Sequence, residues 1–178
     1  MADETTWRED HLRHVERVRE LIGGFIAELA ERARGHDASK LTDQCEREGF
    51  SGAFHRLRGL TYGSPEYKAQ LEDPKVGGPL TSAVHHHRAA NRHHPEFHEN
   101  GVLDMDLVDL DEMFADWVSA CDRHDDGDIF KSIEHNEKRF GMGPVLTAVF
   151  VNTARRIKAR EARILTDNKK PCKGCGKD

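Results

Sequence analysis

Residues Thr6–Lys40 read TWREDHLRHVERVRELIGGFIAELAERARGHDASK, and their spacing decides the fold class. Val15, Val18, Ile22, Phe25, Ile26 and Leu29 recur at intervals of three and four, which predicts one long helix over about Thr6 to Arg34 with a single apolar stripe. His11 lies near the centre of that stripe, one turn before Val15, and is expected to point inward. His14 lies toward the edge. Gly35 is a helix stop, and Asp37-Ala-Ser-Lys40 can open a second helix with Asp37 near its positive N-terminal end. His36 and Asp37 therefore sit at a helix junction.

Working outward, the pattern weakens between Thr42 and Gly78, where frequent Gly and Pro predict short helices joined by loops, with Leu60–Lys68 as a turn feeding one of them. A strong helix follows from Pro79 to about His93, with Leu80, Ala83, Val84, His87, Asn91 and, further on, His94 on one face. Pro95 ends it. Another runs from about Asp106 to Arg123 on a core stripe of Leu110, Met113, Phe114, Trp117, Val118 and Cys121. Asp109, Glu112 and Asp116 flank that stripe and can border a site. Two more are expected over about Ile129–Phe140 and Pro144–Leu165, the last with Val145, Leu146, Val149, Phe150 and Ile157 inside. The expectation is an all-α bundle of about six main helices spanning residues 1–165, and a loose Lys/Gly-rich tail, 166–178, carrying Cys172 and Cys175 as a CxxC pair.

Composition narrows the function. With 178 residues, 37% hydrophobic and 33% charged, the chain suits one folded domain rather than a disordered or membrane protein. Its polar, acidic start has no export signal, and its four scattered cysteines make no secreted disulfide framework, so a cytoplasmic setting is expected. The net charge of −5 argues against general nucleic-acid binding. A homo-oligomer is left open. Twelve histidines are the outlier, and six of them lie between His85 and His98, interleaved with Arg88, Asn91, Arg92 and Glu96.

A metal site built from His and Asp needs donors from several elements. His11 on the first helix, His36-Asp37 at the junction and Asp116 on a distal helix satisfy that condition. The plain alternative is a helix start at His36-Asp37 and a buried, hydrogen-bonded His11. His87 and His94 are further candidates, although seven helical residues separate them by roughly 10 Å, too far for one ion unless the helix breaks.

The stretches HLRHV, GHDASKL, LTYGSPEYK, HHHRAANRHHPEF, DLVDLDEMFADW and DGDIFKSIEHNEKRFG resemble a family of uncharacterised bacterial and phage proteins. The likeness runs over roughly residues 8–155, and NRHHPE is its most specific motif. More distantly, the H…HD…D order resembles the HD-domain superfamily of metal-dependent phosphohydrolases, among them nucleotidases and deoxynucleotide triphosphohydrolases. That resemblance implies an HD-like helical fold, His11, His36, Asp37 and Asp116 as metal ligands, and Lys40 reaching a phosphate. The histidine-rich helix departs from one-metal nucleotidases and resembles two-metal branches, including HD-GYP phosphodiesterases and HD oxygenases, though no GYP triplet is present.

The function expected is hydrolysis of a phosphate ester or anhydride on a nucleotide or other phosphorylated small molecule. Asp37 and His87 are its catalytic candidates, with one or two ions of Mn, Co, Zn or Fe, or Mg. Lys40, Asn91, Arg92, Lys131 and Arg139 are candidates to hold the substrate. A di-iron HD-type oxygenase and a non-catalytic nucleotide-binding or phage interaction protein are the alternatives.

Overall fold

The computed structural model describes residues 4–60, 64–123 and 127–168. The CxxC tail and Thr61–Gly63 of the expected turn lie outside them. The protein is all-α, with no strand among the described residues. Its helices are α1 (Glu4–Gly35), α2 (Ser39–Thr42), α3 (Gln44–Leu57), α4 (Pro65–Glu72), α5 (Pro74–Ala90), α6 (Leu107–Cys121), α7 (Ile129–Phe140) and α8 (Pro144–Asn168), with 3-10 turns at Pro95–Phe97 and Gly101–Asp104. None of them is long and apolar enough to cross a membrane.

Local chemistry explains most boundaries. Asp43, Ser64, Asp73 and Asp128 each accept a hydrogen bond from a backbone N–H in the first turn of α3, α4, α5 and α7, satisfying donors that the helix itself leaves unpaired. Gly141 ends α7 in the left-handed region at φ 63°, which a residue without Cβ adopts at little cost.

The chain divides into two compact units, Met1–Met113 and Phe114–Asp178. In the first, α3 packs along α5, and α2 and α4 lie against them. Its buried apolar side chains are few and mostly modest in size: Ala53, Val76, Ala83, Met105, Val108 and Met113. Glu46, His87, His93 and Asp109 are buried with them, so the interior of this unit is largely polar. The second unit has a conventional apolar interior. Phe114 stacks on Phe150 at 5.1 Å, Trp117 meets Phe150 edge-on, and Ile129, Ile133, Met142 and Ala154 are buried.

Three sequence expectations need correction. The α1 stripe is not core: Val18, Ile22, Phe25 and Ile26 are 39–62% exposed, because the first unit grips the helix near its C-terminal end, where Leu29 and Arg32 are half-buried. Val145 and Val149 of α8 are likewise exposed. The histidine helix starts five residues early, at Pro74, and stops at Ala90, where Asn91 turns extended (φ −114°, ψ 121°).

Close approach of α3 and α5 requires Gly49, where a Cβ would stand 2.5 Å from both Ala83 Cβ and the Pro79 carbonyl oxygen. Gly49→Ala is therefore expected to lower stability by about 1–3 kcal/mol through overpacking, measurable as a reduced urea midpoint.

Candidate metal centre

Asp37 lies just past the end of α1 with φ 56°, the described non-glycine residue with positive φ. Asp tolerates this left-handed geometry better than most residues, and the turn aims its carboxylate back into the first unit. Lys40, one turn on, holds Oδ2 at 2.5 Å. His36 Nε2 stands 3.6 Å from the same oxygen. On the other side, Oδ1 is 3.0 Å from His87 Nε2 and 3.6 Å from His93 Nε2.

The break at Asn91 brings the remaining histidines in. Because α5 ends there, the chain doubles back, and His94 comes to 4.8 Å from His87 and 4.2 Å from His93, ring centre to ring centre. Donor atoms of His87, His93 and His94 all lie within 4.8 Å of one another. The helical phasing that put His87 and His94 on one face thus names the right pair for a different reason, while His85 is exposed.

The Nδ1 atoms of four imidazoles rest on two glutamates. Glu46, wholly buried, lies 2.9 Å from His87 Nδ1 through Oε2, and its Oε1 lies 2.9 Å from His86 Nδ1. Ser39 Oγ donates to Oε2 as well, at 2.8 Å. Glu112 Oε1 lies 2.9 Å from His36 Nδ1 and 3.2 Å from His93 Nδ1. A carboxylate accepts, so each Nδ1 carries a proton, and the Nε2 atoms of His36, His87 and His93 face Asp37.

Acceptors so placed repel unless a proton or a cation lies among them. A second proton on His87 would satisfy its contact with Asp37. It would not account for the Nε2 atoms of His93 and His94, both buried without a hydrogen-bond partner, a condition that costs free energy. The residues fit a divalent transition metal: three imidazole nitrogens and an anionic oxygen are the donors that Zn, Mn, Fe or Co takes.

Charge follows geometry. Burial opposes ionisation of Asp37, but hydrogen bonds from His87 and Lys40 prevail and hold its carboxyl far below the usual range. Burial likewise opposes ionisation of Glu112, yet bonds to His93 and His36 lower it to about 2. Burial, then the neighbouring His93 and His87, lowers His94 to about 3.

Residues 3–156 match the model of a family of unknown function. The chain belongs to DUF5662. Neither the curated proteins nor the solved structures contain a match, so the roles of residues in this DUF5662 chain have to come from its own geometry.

That geometry relocates several expected site residues. His11 is exposed and stacks on Trp7 at 5.7 Å. It lies on the same continuous helix as the junction, roughly 37 Å from it along the axis, and His93 and His94 take the place expected for it. Asn91 is scaffold, donating to Ser39 Oγ at 2.9 Å and to the His87 carbonyl at 2.8 Å. Arg92 grips the fully buried Asp109 with Nε at 3.1 Å and Nη2 at 2.9 Å. Arg32 reaches the same Asp109 at 2.9 Å and Glu112 at 2.6 Å. Lys40 is engaged by Asp37. Lys131 and Arg139 lie on α7 in the second unit, Lys131 exposed and Arg139 over the Phe140 ring. Asp116 lies on α6, one turn after Glu112.

Glu46, His93 and Glu112 went unassigned for identifiable reasons. Asp43-x-x-Glu46 has the form of an ordinary capping box, and Asp43 does cap Glu46 N at 2.9 Å. His93 precedes another histidine and sits where a regular helix would turn it away from His87. Glu112 was legible only as a carboxylate flanking an apolar stripe.

Two outcomes follow. Glu46→Gln preserves shape but removes the anionic acceptor, and is expected to weaken metal affinity about 10–100-fold, read by competition with a chromogenic chelator. In metal-free protein, the neutral folded His94 means that the unfolded chain binds the extra proton between pH 6.5 and about 3, so stability falls as pH is lowered through that interval. Below 4.5, the lowered Glu112 adds a further loss in the same direction. Urea titrations across pH should show both, and His94→Ala should remove the upper part.

Proposed function

We propose that this chain is a metal-dependent phosphohydrolase of the HD type, acting on a nucleotide or another phosphorylated small molecule in the cytoplasm of a bacterial or phage-infected cell. The observation that carries the reading is the convergence of His87, His93 and His94 donor atoms beside Asp37, with His87 and His93 oriented from behind by Glu46 and Glu112. The His36-Asp37 junction and the histidines that follow it support the reading, whereas His11 stands exposed on α1 away from them.

Asp37 is the central residue. One carboxylate oxygen faces His87 and His93, and the other faces His36, an arrangement suited to one ion or to a carboxylate shared between two. Lys40 balances the charge of Asp37 and stands at the half-exposed edge, where a phosphate oxygen can compete for it. A bound transition metal supplies Lewis acidity there and lowers the pKa of a coordinated water toward neutrality. The nitrogen-rich donors fit Mg poorly. They also suit iron, which makes an oxygenase the second reading.

The test joins elemental analysis of the purified protein to a phosphate-release screen of nucleotides with Mn, Co and Zn. Bound metal in the parent and turnover of at least one nucleotide are expected. Asp37→Ala should lose both, by more than the about 10–100-fold cost of removing an outer partner, while circular dichroism keeps its helical signal. Tightly held iron with oxygen consumption and no phosphate release would favour the oxygenase. Full metal content and turnover in Asp37→Ala would sink the assignment.

A further inference from the structure

The N-terminal helix carries a pattern that the metal centre does not use. His11, Val15, Val18, Ile22, Phe25 and Leu29 are spaced alternately four and three apart, the period at which a helical stripe stays in register with a second helix. Leu12, Leu21 and Ile26 widen it, at 57%, 48% and 62% exposure. Helix α1 is 32 residues long, about 48 Å, so this seam extends well beyond the end held by Arg32.

We propose that α1 is a dimerisation helix, pairing antiparallel with α1 of a second copy of this chain. The polar face argues against other occupants. The helix as a whole holds seven acidic residues and six arginines with no lysine, a balance unsuited to an anionic lipid surface or to nucleic acid. Eight of those charges already pair along the helix: Arg13 with Asp10 at 3.2 Å, Arg17 with Glu20 at 2.9 Å, Arg19 with Glu16 at 3.4 Å, and Arg34 with Glu31. What α1 leaves unsatisfied is apolar and heptad-spaced, and a second α1 matches it.

The antiparallel sense follows from the ends of the helix. With Ile22 opposite Val18 of the second copy and Val15 opposite its Phe25, Leu12 falls beside Ile26, Leu21 beside Leu21, His14 beside the acidic Glu28, and Arg19 beside Arg19, each of these arginines being engaged by its own Glu16 at 3.4 Å. A parallel pair would set His14 beside Arg19 instead. It would also bring both copies' folded bodies to one end, since Arg32 ties that end to Asp109 and Glu112.

Sedimentation equilibrium of the full chain should give twice the 20.2 kDa chain mass. Ile22→Glu/Phe25→Glu should give the single-chain mass with undiminished helicity, because both side chains are exposed in the isolated chain. Oxidation should join Leu21→Cys to its own counterpart, located by peptide mapping, and should not join Leu29→Cys to itself. A parent that stays at 20.2 kDa across concentration, a double variant that still dimerises, or self-linkage at position 29 but not 21 would overturn the proposal.

Discussion

A carboxylate taken fully out of water costs several kcal/mol unless charge and hydrogen bonds compensate it. Glu46 is such a group, and α3 and α5 come together around it. His86, His87 and Ser39 meet its two oxygens, so helices α5, α2 and α3 are fixed by one side chain. Gly49, one turn along α3, lets the two backbones approach closely enough for those bonds to form. The interaction that orders the first unit is thus the one that aims His87 at Asp37.

Asp109 plays the corresponding part at the other edge. It too is fully buried, and Arg32 from α1 and Arg92 from the segment after α5 converge on it. Arg32 also holds Glu112, and Glu112 in turn orients His36 and His93. Arginines that look available for substrate in the sequence are consumed in this framework, because planar guanidinium groups suit the paired recognition of a buried carboxylate. The first unit has little apolar interior, so its order depends on polar pairing, and a cation among the Nε2 atoms would add to it. The second unit relies instead on stacked aromatic rings and buried aliphatic side chains.

Individual residues show why part of the site was legible. His36-Asp37 stands out because a glycine stop and a new helix start bracket it, and those are local signals. The clustering of six histidines before Pro95 is compositional and equally visible. By contrast, His11 shares a stripe with apolar residues, and periodicity alone cannot say whether a stripe faces a core or another molecule. His93 became a site residue through a helix ending at Asn91, four residues before the proline that was expected to end it.

What the sequence determined by itself was the all-α class, the order of the helices, most of their caps and the His36-Asp37 junction, since each depends on residues within a few positions of one another. Tertiary structure alone decided that Glu46 and Glu112 stand behind the imidazoles, that Arg92 and Asn91 serve the scaffold, and that the α1 stripe lies open. Those outcomes turn on pairing between residues 17 to 76 positions apart and on which buried charges find partners, and neither is encoded in any local period.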